Sequence, residues 1–77
     1  MKDFRDEWFF KEWYSPEELE TLWNWVIEGG DIVEVKEQDG RWSGFHPLDT
    51  EMKIGLASQR TKEDCINWMK RLGFNIK

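Results

Sequence analysis

Apolar residues recur at helical spacing in the first half of the chain, within a segment that also carries start and stop signals for a helix. The apolar positions are Leu19, Leu22, Trp23, Val26 and Ile27. Their spacing of three and four residues predicts one amphipathic helix over residues 15–30, with a face that needs a partner surface. Ser15 can cap the first turn, Pro16 suits the first helical position, and Gly29 and Gly30 suit the end of the helix.

Three segments after this helix alternate apolar and polar residues, which is the pattern of a half-buried strand. They are residues 31–37 with Val33 and Val35, residues 41–46, and residues 51–58 with Met52, Ile54 and Leu56. Gly40 can take the positive φ that a tight hairpin needs, and Pro47 indicates a turn over residues 46–50. Gly55 predicts a bulge or the close approach of another backbone.

A second amphipathic helix is predicted from Thr61, which begins the capping-box-like sequence TKED, to Gly73. Its apolar stripe consists of Cys65, Trp68, Met69 and Leu72, with Ile66 at the margin. We expect this stripe to pack on the sheet. Gly73 can end the helix so that Phe74 folds back onto the last turn, and residues 75–77 are then either a tail or a fourth edge strand.

The first fourteen residues carry six aromatic side chains among charged ones. These are Phe4, Trp8, Phe9, Phe10, Trp13 and Tyr14. On a helical wheel the rings lie around the whole circumference, so one surface cannot bury them all. We therefore expect a short helix or an anchored arm over residues 1–14, with some rings closing the core and others free for a partner.

Together these elements predict a single domain over residues 1–77, in which the aromatic arm (1–14) precedes an α-β-β-β-α core (15–77). The expected fold class is α+β with two layers, in which a three-stranded antiparallel sheet carries the helices on one face. A chain of this length can form one small core, and a homodimer would add buried surface.

Composition adds two facts that bear on function. Six Trp, five Phe and one Tyr make 16% of the chain aromatic, and such rings either complete the core or form a contact surface. The net charge of −5 is divided unevenly, with 12 acidic against 4 basic residues in 1–40 (−8) and 4 against 7 in 41–77 (+3). This asymmetry fits self-association, a basic partner for the first half, an acidic partner for the second, or unevenly charged solvated faces.

Few residues carry reactive chemistry. One cysteine, Cys65, cannot form an internal disulfide, and one histidine, His46, is too few for a zinc cluster, so we expect a reducing, cytoplasmic setting without metal or cofactor. Cys65 lies among apolar helix positions, where a thiol is usually inert, so we expect no enzymatic activity. No apolar run reaches the roughly 20 residues of a membrane span, and the first residues do not resemble a signal peptide.

One functional alternative is nucleic-acid binding through the basic second half. The order α-β-β-β-α resembles that of double-stranded-RNA-binding domains, and a three-stranded sheet followed by a helix resembles the arm-binding and plant AP2-type DNA modules. The resemblance implies contacts from the sheet or from the start of the last helix, with one stacking ring. The residues concerned are Arg41, Trp42, Arg60, Lys62, Lys70 and Arg71. The acidic total and the mixed charges of residues 61–64 count against this alternative.

The leading hypothesis is a protein-binding module. A small, acidic, aromatic-rich domain is similar in composition to inhibitor proteins of phages and mobile elements, including anti-CRISPR proteins and DNA mimics, which implies an inhibitor of a nucleic-acid-acting host protein. The predicted contact residues combine aromatic anchors with carboxylates that would attract a basic partner surface. They are Asp6, Glu7, Trp8, Phe9, Glu12, Trp13, Glu17 and Glu18.

Overall fold

The computed structural model describes residues 3–77, which form an α+β fold of three α-helices and four β-strands. In chain order the elements are α1 (Trp8–Trp13), α2 (Pro16–Gly29), β1 (Ile32–Gln38), β2 (Arg41–Phe45), β3 (Leu56–Gln59), α3 (Lys62–Arg71) and β4 (Asn75–Ile76). A 3-10 turn over Phe4–Asp6 precedes α1. The α+β class is therefore confirmed, and of the arm predicted over residues 1–14, Met1 and Lys2 lie outside the described residues.

Helix α2 begins and ends with the signals that its sequence predicts. The Ser15 hydroxyl accepts the N–H of Glu18, and the Glu18 carboxylate accepts the N–H of Ser15, so the two residues form a complete capping box. Gly30 follows the helix with a φ of 89°, a conformation that favours glycine. Both ends of α2 are thus determined within a few residues of sequence.

Helix α3 ends in a Schellman motif, as the Gly73-Phe74 sequence predicts. The N–H of Phe74 donates to the carbonyl of Met69, and the N–H of Gly73 donates to the carbonyl of Lys70. Phe74 is buried, and its ring lies 6.0 Å from that of Phe4. The end of α3 is therefore packed against the N-terminal segment.

The sheet has four strands in the order β3-β2-β1-β4 and is mixed, so the prediction of three antiparallel strands is wrong in this detail. The pairs β1/β2 and β2/β3 are antiparallel, whereas β4 runs parallel to β1 and pairs with Ile32 and Val33. The β1/β2 hairpin closes through a two-residue turn in which Asp39 and Gly40 both have positive φ. The fourth strand arises because the Schellman turn directs residues 75–76 back along β1.

The third strand is shorter than the alternation of residues 51–58 predicts, since only Leu56–Gln59 pair with β2. Upstream, the Asp49 carboxylate accepts the N–H groups of Lys53 and Ile54, and Met52 has a φ of 53°. These bonds hold residues 50–55 as a loop instead of a strand. Ile54 still reaches the core from this loop, which explains why the apolar alternation misled the prediction.

Two glycines in the β2/β3 region, Gly44 and Gly55, are closely packed against side chains of other residues. A Cβ on Gly44 would meet the Met69 sulfur at 2.9 Å, so this position of β2 faces α3. Because side chains alternate along a strand, Ser43 and Phe45 face the other way, where a Cβ on Gly55 would meet them at 3.2 and 3.3 Å. Gly55 therefore lies beside the side chains of the sheet face opposite α3, whereas the prediction was a bulge or the approach of another backbone at this residue. The register shift of the β2/β3 pair lies after Gly55, between the pairs Gly44–Leu56 and Trp42–Gln59.

The main core lies between the helices and the sheet. Its buried residues are Phe4, Phe10, Leu19, Leu22, Val26, Val33, Ile54, Leu56, Cys65, Met69 and Phe74. Two residues that the helical stripes assign to this core lie at the surface instead, because Ile27 is 66% exposed and Trp68 is 42% exposed. Each lies at the edge of its stripe, beyond the reach of the sheet.

Candidate functional site

Three tryptophan side chains remain largely in solvent after the core is complete. Trp8 is 69% exposed, Trp13 59% and Trp68 42%. Indole rings are large and apolar, so their exposure loses hydrophobic stabilisation that burial would supply. Exposed aromatic rings of this kind are enriched where proteins contact other proteins.

The aromatic rings of α1 touch one another and divide into a buried set and an exposed set. Trp8 and Phe9 meet with ring centroids 5.8 Å apart, and Phe9 and Trp13 meet at 5.4 Å. These three residues form what we call the aromatic ridge. Phe10 lies beneath the ridge in the core, 5.0 Å from Phe9 between ring centroids. The predicted division of the arm between core rings and surface rings is therefore confirmed for residues 3–14.

A groove of about 410 Å³ opens between the end of α1, strand β3 and α3. Trp13 and Trp68 both line it. Its other lining residues are Tyr14, Gly55, Ala57, Ser58, Gln59 and Leu72. Gly55 has no side chain and that of Ala57 is a single methyl group, so neither fills the groove that the two tryptophans line.

Tyr14 ties the groove to the loop before β3. Its hydroxyl donates a hydrogen bond to the carbonyl of Gly55, a residue 41 positions away. Burial raises the pKa of Tyr14 to about 12, with a smaller contribution from the negative charge of Glu18. The phenol therefore stays protonated and keeps donating throughout the physiological pH range.

Arg71 lies over the ring of Trp68, which forms the α3 wall of the groove. Its guanidinium carbon lies 5.4 Å from the centroid of the Trp68 ring, a cation–π distance. This contact holds an exposed indole in one orientation and places one positive charge at the groove. The residues that line the groove are uncharged, and the charges near it belong to neighbouring residues: the carboxylates of the α1 segment on one side and Arg71, beside Trp68, on the other.

The carboxylates predicted to attract a partner occupy different environments. Asp6, Glu12 and Glu17 are exposed, whereas Glu18 is committed to the capping box of α2 and Glu7 is partly buried. Residues 6–18 contain five acidic residues against one basic residue, a net charge of −4. The aromatic ridge and the Trp13 wall of the groove therefore lie on an acidic segment of the chain.

The basic residues of the nucleic-acid alternative do not form one cluster. Lys62 is in the first turn of α3, with its ammonium 5.8 Å from the centroid of the half-buried Trp42 ring, whereas Lys70 and Arg71 are in the last turn. Eight residues of helix separate Lys62 from Lys70, which is about 12 Å along the axis. The guanidinium of Arg41 bonds to the side chain and carbonyl of Ser58, and Arg60 is exposed just before α3.

The side chains of His46 and Cys65 are both held by contacts within the fold. His46 is 2% exposed, its Nδ1 accepts the N–H of Leu48, and its Nε2 therefore carries the proton and donates to the carbonyl of Gly30. Cys65 is buried in the main core, and burial raises the pKa of its thiol. Both side chains thus have structural contacts that leave their reactive atoms occupied or covered.

Residues 3–77 contain no group of three or more His, Cys, Asp or Glu side chains arranged to hold a metal ion. Over the same residues, none of the helices is both long enough and apolar enough to cross a bilayer.

Sequence reasoning missed half of the groove. It identified Trp13 but placed Trp68 in the stripe that packs on the sheet; Leu72, predicted in the same stripe, does pack against the core while also lining the groove. The spacing of Trp68 with Cys65 and Leu72 is the same whether its ring is buried or exposed. Only Arg71, three positions later and able to lie over the ring, hints at a surface position.

Comparison with protein-family models, with curated proteins and with solved structures finds no match to this chain.

Proposed function

We propose that this protein is a protein-binding module whose contact surface is the groove together with the aromatic ridge. The observation that carries the proposal is that two indole rings, 59% and 42% exposed, face one apolar groove of about 410 Å³. A small domain rarely leaves such rings in water unless a partner covers them. Both walls belong to folded helices, so the surface is formed before binding.

The expected partner inserts an apolar side chain between Trp13 and Trp68 and carries basic residues around it. Desolvated aromatic side chains at the centre of an interface supply most of its affinity, while charges at its rim mainly steer association. The net charge of −4 over residues 6–18 therefore favours a partner with a positive surface. Asp6, Glu12 and Glu17 are exposed and free to contribute to this attraction.

The test is affinity capture with the tagged protein from nuclease-treated lysate, followed by a binding titration with the purified partner. Trp13→Ala and Trp68→Ala should each weaken binding at least about 30-fold, because truncating a central aromatic residue commonly has an effect of this size. Ile27→Ala is the matched control, since Ile27 is a large apolar residue, 66% exposed, outside the groove.

Near-ultraviolet circular dichroism of each variant checks that the fold is retained. Capture that survives both tryptophan substitutions, or that Ile27→Ala weakens to the same degree, would contradict the proposal. Capture that disappears with nuclease treatment would favour the nucleic-acid alternative instead.

A narrower form of the proposal is that the partner is a nucleic-acid-acting protein and that binding inhibits it. The acidic segment that carries the aromatic ridge supports this form, because the same positive surface would attract phosphate groups. Competition decides it: the protein should displace a labelled oligonucleotide from its partner, and Trp13→Ala should lose this effect. A partner that binds both at once would rule out this form while leaving the binding module intact.

A further inference from the structure

The edge of the sheet opposite β3 is only partly covered. Strand β1 runs over Ile32–Gln38, but β4 pairs with it only at Ile32 and Val33. Within residues 3–77, no other strand lies beside the remainder of β1 on this side. This edge is separate from the groove, which borders β3.

The pairing of β1 shows which of its backbone groups face this edge. Gln38 and Arg41 flank the two-residue turn and therefore form a hydrogen-bonded pair. Because such pairs alternate along an antiparallel ladder, the even-numbered residues of β1, including Lys36, direct their N–H and C=O groups towards β2. The odd-numbered residues face β4, and accordingly the N–H of Lys77 donates to the carbonyl of Val33. Val35 and Glu37 therefore present their N–H and C=O groups outward, and four backbone groups are available to an added strand.

An apolar cleft with a positive rim lies beside these groups. Its volume is about 320 Å³, and Val35, Ile66 and Ile76 form its apolar lining. Three lysines, Lys36, Lys62 and Lys77, also line it, against the single carboxylate of Glu34. The lining charge is thus +2 (three ammonium groups less one carboxylate) on a chain whose net charge is −5.

Glu34 neutralises only part of this charge. Its two carboxylate oxygens lie 3.0 Å from the ammonium of Lys77 and 3.2 Å from that of Lys36. Hydrogen bonds from Lys77 and then Lys36 lower the pKa of Glu34, so it remains ionised and shares its single charge between two cations. An anionic ligand would find both lysines incompletely paired.

A second copy of β1 does not fit this edge well. Consider two copies of β1 paired antiparallel, with the Val35 residues of the two copies opposite each other. Glu37 of the second copy would then lie beside Val33, a place that Ile76 of β4 already occupies. The next register that clears β4 places Lys36 opposite the Lys36 of the second copy, and like charges directly opposite each other are destabilising. The occupant is therefore a different chain with the opposite charge.

We propose that the outer edge of β1 binds an extended acidic peptide of a partner protein as an added β-strand. Backbone hydrogen bonds to Val35 and Glu37 set its position, and alternate apolar side chains enter the cleft beside Ile66. The intervening side chains are carboxylates that meet the lysine rim. This second surface recognises a charge opposite to the one expected at the groove.

The probe is a capped seven-residue peptide of alternating glutamate and valine, titrated into the labelled full chain and followed by nuclear magnetic resonance. The amides of Val35 and Glu37 should shift and should exchange with solvent at least about tenfold more slowly when the peptide is bound. A lysine–valine peptide of the same length should produce neither effect.

Glu37→Pro tests the edge itself, because it removes one outward N–H that no strand uses. Glu37→Ala is its matched control, since both variants lose the hydrogen bond that the N–H of Gly40 donates to the Glu37 carboxylate. Binding should fall about five- to tenfold in Glu37→Pro relative to Glu37→Ala, the effect of one lost hydrogen bond.

Three results would overturn the proposal: shifts confined to residues away from β1, equal binding by both Glu37 variants, or binding of a single-stranded oligonucleotide at this edge in place of the peptide. If Glu37→Pro does not fold, the exchange rates of Val35 and Glu37 in the unsubstituted chain still decide the outcome.

Discussion

Gly44 of β2 lies against the Met69 side chain of α3, and an added methyl group there should destabilise the fold. The Cβ of an alanine at position 44 would lie 2.9 Å from the Met69 sulfur and 3.1 Å from its Cγ and Cε. Met69 is fully buried, so its side chain has no solvent space to enter. Either α3 shifts outward or Met69 leaves its preferred rotamer.

Two effects of opposite sign determine the size of the loss for Gly44→Ala. Overpacking of a core costs about 1–3 kcal/mol, whereas replacing a strand glycine with alanine gains roughly 0.5–1 kcal/mol of backbone entropy. The packing effect is the larger one, so we expect a net loss of about 1–2 kcal/mol in the free energy of unfolding. In a chain of this size, such a loss should lower Tm by about 4–16 °C.

A double-mutant cycle with Met69→Ala isolates the clash. Met69→Ala alone should cost about 2–5 kcal/mol because it leaves a cavity. In that background the alanine at position 44 has room, so Gly44→Ala should be neutral or stabilising, and the two substitutions should couple by about 1–2 kcal/mol. Urea unfolding followed by tryptophan fluorescence measures all four proteins. Losses that add to within about 0.5 kcal/mol would refute the proposed contact.

Two further predictions concern stability. In Asp49→Asn, an amide NH2 replaces one of the two oxygens that accept the N–H groups of Lys53 and Ile54 and so hold residues 50–55. The free energy of unfolding should fall by about 2–3 kcal/mol, because one buried N–H loses its acceptor. An unchanged midpoint of urea unfolding would contradict the role of this carboxylate. The pKa of Tyr14 is raised from 10.0 to about 12, so stability should be intact below pH 10 and fall by about 2 kcal/mol as pH rises to about 12. Phenolate absorbance reports the ionisation of Tyr14 directly because the chain has one tyrosine. A titration midpoint near pH 10 would contradict this prediction, and so would an equal loss of stability at high pH in Tyr14→Phe.

Part of the candidate site was predictable from residue types alone. Six aromatic rings in the first fourteen residues exceed what one helix face can bury, so the exposure of some of them follows from geometry. The structure shows that Trp8 and Trp13 are exposed, whereas Phe9 is half-buried. The opposite wall of the groove was not predictable in this way. Trp68 has the spacing of a core residue, and its exposure depends on where the sheet ends beneath α3.

The fourth strand shows a similar limit. The sequence left residues 75–77 as either a tail or an edge strand, and the strand forms because Asn75 and Ile76 pair with Ile32 and Val33, 43 positions earlier. The predicted extent of the third strand, residues 51–58, was wrong for a different reason. Apolar residues continue to alternate through residues 51–55, although the Asp49 carboxylate holds this segment as a loop. The bonds of β4 join residues 44 positions apart. Those of Asp49 are local, four and five residues along the chain, but apolar alternation carries no information about a side-chain acceptor.

The sequence by itself determined the features whose energy comes from near neighbours. These are the capping box between Ser15 and Glu18, the hairpin turn at Asp39-Gly40 and the glycine that ends α3 at position 73. Only the tertiary structure decided what covers each helix face, which strand edges stay open and which exposed rings meet across a groove. Those outcomes depend on the packing of segments far apart in the chain, and periodicity specifies a face without specifying what covers it.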